Sequence, residues 1–155
     1  MKSEHLQKWY LIVCVEALLV AIAMYFDFHK QLWESDQTKL SFLIAFIWIV
    51  STVFIGWLHT LEDKTQVEKD TKSAWYMAES CLTLGMIGTV AGFLLMLGAA
   101  FGNIDVSNTQ TLQAALSSMA IGMSTALYTT LVGLVASLFI KSQLINLEHY
   151  TDGLQ

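Results

Sequence analysis

Three side chains stand out because their chemistry does not suit their surroundings. Thr89 and Thr130 lie deep inside long apolar stretches, and Glu16 is the one carboxylate so placed. Hydroxyls can coordinate a dehydrated cation or orient water, but they do not titrate near neutral pH. A threonine pair can therefore line an ion path and cannot carry a proton along it. A carboxyl group inside an apolar helix can bind and release a proton, and in a membrane such a group is a functional candidate by default. The remaining inventory is sparse. Cys14 and Cys81 sit in separate apolar runs, and no C-x-x-C or Cys/His cluster is present, so neither a metal nor a disulfide framework is expected. No nucleophile–base pair or phosphate loop appears, so hydrolytic catalysis and a bound cofactor are not expected, and any energy input would come from ion flow.

These residues must be positioned by membrane helices. The 155 residues are 55% hydrophobic and 14% charged, where a soluble domain carries about 25% charged residues. All eight basic residues are lysines, and the net charge is −5. No basic stripe exists to neutralise phosphates, which excludes nucleic acid as a partner. Charges bracket four apolar runs: 18 residues between Lys8 and Asp27, 22 between Lys39 and Glu62, 25 between Glu79 and Asp105, and 35 between Asp105 and Lys141. A spanning helix needs about 20 residues. The sequence thus predicts an all-α, polytopic protein, residues 1–155 forming a single membrane domain with spans near 9–27, 40–59, 80–101 and 116–140. Chain-wide absence of proline favours uninterrupted helices.

Six lysines (2, 8, 64, 69, 72 and 141) fall on the side of both termini, and two (30 and 39) on the other. The positive-inside rule then predicts both termini inside. Lys2 and Lys8 before an apolar run, with Ala21-Ile22-Ala23 beyond, are similar to a secretory signal. Glu16 within that run and the three spans after it favour an uncleaved first helix.

The last two spans differ from the first two. At 100° per residue, Ser118, Gly122, Ala126, Thr129, Thr130, Gly133, Ala136 and Ser137 share one arc of about 120°, while Leu116, Leu127, Leu131, Leu134 and Leu138 lie opposite. The third span carries Gly85, Gly88, Thr89 and Gly92. Small residues let membrane helices approach closely, and packing alone would account for them. Depth adds a second signal. Thr89 lies ten residues after Glu79 and Thr130 ten before Ile140, so both hydroxyls fall about 15 Å above one boundary, near mid-membrane. Thr125 and Thr129 flank the same region.

Gly85-Met86-Ile87-Gly88-Thr89-Val90-Ala91-Gly92 resembles the G-L-L-G-T-V-x-G segment that opens the first pore helix of the MotA/TolQ/ExbB family of ion-driven stators. Ala126-Leu127-Tyr128-Thr129-Thr130-Leu131-Val132-Gly133-Leu134 is similar to that family's second motif, A-L-x-A-T-x-x-G-L. The resemblance covers the pore-forming part, residues 80–140, and places Thr89 and Thr130 on the two pore threonines. It implies a bacterial inner-membrane homopentamer around two copies of a single-span partner whose Asp carries H⁺ or Na⁺. Thr125 and Phe139 stand where ExbB and TolQ types carry Glu and Pro, and about twenty residues replace the family's large cytoplasmic segment. The implied protein is a minimal stator core. The small faces of the last two spans are expected to exceed what one chain can bury, so that neighbouring copies would cover them.

A rival reading rests on Glu16. A short four-helix protein with Glu in its first helix is similar to small multidrug transporters, in which that residue is the shared proton and substrate site. A structural membrane subunit is the third class. For Glu16 itself, a hydrogen bond from a neighbouring helix is the simplest role.

Overall fold

A computed structural model describes residues 2–27, 39–61, 64–101 and 109–152. Four helices account for almost all of them: α1 (Lys2–Tyr25), α2 (Leu40–Leu58), α3 (Lys64–Phe101) and α4 (Thr109–Asp152). Each contains a segment long and apolar enough to cross a membrane, namely Leu6–Tyr25, Leu40–Leu58, Lys69–Gly98 and Thr109–His149. The protein is an all-helical, multi-pass membrane protein. Helix is the required form here, because hydrocarbon offers backbone N–H and C=O groups no partner outside their own segment. Lys30 and Trp33 of the α1–α2 connection lie outside the described residues, as does the whole α3–α4 connection.

The last two helices are much longer than the charge brackets suggest. The third begins at Lys64 rather than near residue 80, and the fourth ends at Asp152 rather than near residue 140. At 1.5 Å per residue, 38 and 44 residues span about 57 and 66 Å, roughly twice the hydrocarbon thickness. The reason is a packing seam that ignores the polarity boundary. Along α3 from Val67 to Gly92 the buried positions are Val67, Thr71, Ala74, Ala78, Cys81, Gly85, Gly88 and Gly92, spaced alternately four and three residues apart. Along α4, Ala126, Thr129, Gly133, Ala136, Ile140, Gln143 and Leu147 repeat the same spacing. That is the rhythm of a coiled-coil seam. The two helices form an antiparallel hairpin whose polar extension holds together as its apolar part does.

The other helices lean on this hairpin. α2 packs against both α3 and α4 and contributes Ile44, Ile55 and Leu58 to a core completed by Ala74, Ala78, Ile140, Leu144 and Leu147. Ser51 Oγ donates to Met77 Sδ at 3.4 Å, and the Trp48 ring packs against Phe139 with centroids 5.8 Å apart. α1 packs chiefly against α4 and buries little else. Its ends are marked by Trp9, which lies where a Cβ on Gly56 would come within 2.7 Å of the ring, and by the exposed Tyr25 and Phe26. The start of α1, the α2–α3 turn and the end of α4 therefore share one end of the bundle, called here the basal end. Leu116, Leu127, Leu131, Leu134 and Leu138 are exposed along the back of α4, as an apolar face turned to lipid or a neighbouring copy would be.

Candidate functional site

The site begins with two glycines. A Cβ on Gly85 would lie 3.2 Å from the Gly133 Cα, and one on Gly133 would lie 2.8 Å from the Cys81 carbonyl oxygen and 2.9 Å from the Gly85 Cα. With no side chain on either, the α3 and α4 backbones touch. This proximity carries the threonines into reach. Thr89 Oγ1 donates to the Gly85 carbonyl at 3.0 Å, one turn back on its own helix, and Thr130 Oγ1 reaches the same carbonyl across the interface at 3.3 Å, as well as Ala126 O at 3.2 Å. The Thr89 and Thr130 hydroxyls are themselves in hydrogen-bond contact. Both threonines are half-buried. Equal depth, read from sequence, becomes direct contact within one chain.

The neighbouring positions divide by helical phase. Thr129, 100° from Thr130, is fully buried, and its Cγ2 packs against the face left open by Gly88. Gly92 faces Ala126 in the same manner, with a hypothetical Cβ 3.1 Å from the Ala126 Cβ, and Gly122 faces Met96. The small residues of α3 and α4 are thus largely spent on one another. Gly85, Gly88, Gly92, Ala126 and Gly133 are buried inside a single chain, so one chain covers more of the small faces than their extent suggests, though not all. The reason is that the two small faces point at each other. Ser118 and Gly122 remain half-buried, and the side chain of Thr125 lies outside the described residues.

Glu16 does not join this pair. Its carboxyl is 3% exposed and accepts a 2.7 Å hydrogen bond at Oε2 from Gln143 Nε2. Gln143 Nε2 also donates to Thr52 Oγ1 at 3.2 Å, while Thr52 donates to the Trp48 carbonyl at 3.0 Å. Towards the basal end, His59 Nδ1 lies 3.0 Å from Ile55 O and Asn146 Nδ2 lies 3.4 Å from His59 Nε2. A single tautomer, with the proton on Nδ1, satisfies both contacts. Gln143 and Asn146 lie beyond Lys141, outside the expected span, and Thr52 is a hydroxyl inside an apolar run with nothing local to mark it. For Gln143 the signal is the continued four–three spacing of α4.

Two long antiparallel helices joined through glycines, with a hydroxyl pair at the contact and no described carboxylate beside it, define a helical membrane protein whose central polar contact is made by hydroxyls. The model of the MotA/TolQ/ExbB proton channel family matches residues 58–147, more than half of the sequence, and the chain belongs to that family. The matched segment starts at the last residue of α2 and takes in the whole α3–α4 contact, leaving Glu16 and α1 outside. No curated protein and no solved structure matches the chain.

Proposed function

We propose that this chain is the ion-conducting stator subunit of an inner-membrane complex, converting H⁺ or Na⁺ flow into mechanical work through a single-span partner. Both termini face the cytoplasm, since the basal end carries Lys8, Lys69, Lys72 and Lys141. Five copies surround two partner helices, and a partner Asp carries the ion past the ring of Thr89–Thr130 pairs. The observation that carries this reading is the contact between those two hydroxyls, midway along the hairpin that the family match covers. Hydroxyl oxygens there can replace part of an ion's hydration shell without retaining the ion by charge. The acid that titrates is left to the partner.

The test is co-expression with a single-span, Asp-bearing protein encoded beside this chain, followed by electron microscopy of the purified complex and ion-flux measurement in proteoliposomes. A five-to-two complex that conducts only when the partner Asp is intact is the expected result. A stable monomer, or flux independent of the partner, would overturn the reading.

A further inference from the structure

Glu16 poses a problem of hydrogen-bond arithmetic. Both hydrogens of the Gln143 amide are used, one on Glu16 Oε2 and one on Thr52 Oγ1. Thr52 fixes the amide's orientation, because its own hydrogen goes to the Trp48 carbonyl and leaves only a lone pair to offer. Glu16 Oε1 and Gln143 Oε1 are then both buried without a partner. They belong to the two groups already joined by the 2.7 Å bond. For an ionised carboxyl group this arrangement is poor twice over, since two acceptors go unmet and a charge is enclosed by neutral groups. Gln143 of α4 bonds the carboxyl directly; beyond it Thr52 of α2 holds the Gln143 amide, Trp48 lies one turn before Thr52, and Asn146, one turn after Gln143, contacts His59. The Trp48 indole N–H is itself buried without a hydrogen-bond partner. On α1, the nearest titratable groups, Cys14, Tyr10 and Lys8, are exposed.

One proton removes both defects. The geometry points to Glu16 as a proton-binding site in which the carboxylic O–H donates to Gln143 Oε1 while Gln143 N–H donates to Glu16 Oε2, closing a two-bond acid–amide ring that fastens α1 to α4. The proton enters from water as Glu16 takes it up, and it leaves the same way, with no other bond made or broken. α1 has few other holds on the bundle, chiefly Trp9 against Gly56 and His59. Loss of the proton sets a carboxylate oxygen against an amide oxygen and releases α1 from a helix that also carries Thr130. This site is separate from the threonine pair and does not depend on the stator reading.

Infrared spectroscopy of the lipid-reconstituted full chain tests it, because below neutrality, where exposed carboxyls stay ionised, a carboxylic-acid C=O band should be present and should vanish in Glu16→Gln. Glutamine can form the same ring as an amide–amide pair without a proton. Hydrogen exchange over α1 should therefore rise several-fold with alkalinisation in the wild type, beyond the intrinsic chemical dependence, and show no such step in Glu16→Gln. Absence of the acid band, a band governed by sodium concentration instead of pH, or rapid α1 exchange in Glu16→Gln at every pH would each overturn the proposal.

Discussion

Gly85 and Gly133 meet so closely that neither position has room for a methyl group: a Cβ on Gly133 would stand 2.9 Å from the Gly85 Cα. The atoms it would strike are backbone, and helices in contact along a whole seam cannot move apart at one point alone. Gly133→Ala should therefore lower stability by about 1–3 kcal/mol, the usual range for overpacking. It should also break the Thr130 bond to Gly85 O. Gly98 supplies the control, since a Cβ there meets nothing within 4 Å. Gly98→Ala should be neutral or raise stability by up to about 1 kcal/mol through helix propensity. Thermal unfolding of both variants in one detergent checks the pair.

Replacing Thr89 or Thr130 by valine keeps the shape and deletes the hydroxyl. The lost bonds are to carbonyls that already serve the helix, so stability should fall by no more than about 1.5 kcal/mol. Partner-dependent ion flux should nevertheless be lost in each variant and partly retained with serine. Flux in proteoliposomes, read beside the oligomeric state, separates the two effects. Equal loss of assembly would make the threonines packing residues only.

The core beyond the hydrocarbon makes a different prediction. Leu144 is fully buried, whereas its neighbour Ile145 is half exposed. Leu144→Ala should destabilise the protein by about 2–5 kcal/mol, and Ile145→Ala by far less. Urea or thermal denaturation would show the difference, which would disappear if the extension were a frayed, solvated end.

Trp9 is a fourth handle. Its ring occupies the space over Gly56, 2.7 Å from where a Cβ would be, so Gly56→Val should dislodge it. Exchange over the first turns of α1 should then rise in mass-spectrometric hydrogen exchange, with α3 and α4 unchanged.

The four spans and the threonine pair were legible because each rests on a one-dimensional quantity: run length between charges in one case, residue count from a boundary in the other. How far α3 and α4 run past those spans was not legible, for the same reason. Glu79 and Lys141 mark where hydrocarbon-compatible sequence stops, but a helix stops only where its packing does. Val67, Thr71, Ala74 and Ala78 before the first boundary, with Gln143 and Leu147 after the second, continue the spacing of the glycines. Thr129 and Thr130 could not be told apart by depth, since adjacent residues differ in azimuth and azimuth is set by the partner helix. The Glu16–Gln143 bond joins residues 127 positions apart. No local pattern encodes it.

A hairpin that is stiff across the membrane and stiff beyond it has mechanical gain. From Thr130 to Asp152 is 22 residues of unbroken helix, about 33 Å, so a tilt of about 10° at the threonine contact would carry the tip sideways by about 6 Å. A flexible loop of equal length would dissipate that displacement. The heptad seam of Val67, Thr71, Gln143 and Leu147 braces the projecting part against bending, so in the proposed stator it would act as a lever whose fulcrum lies at the glycines and whose load is applied in water.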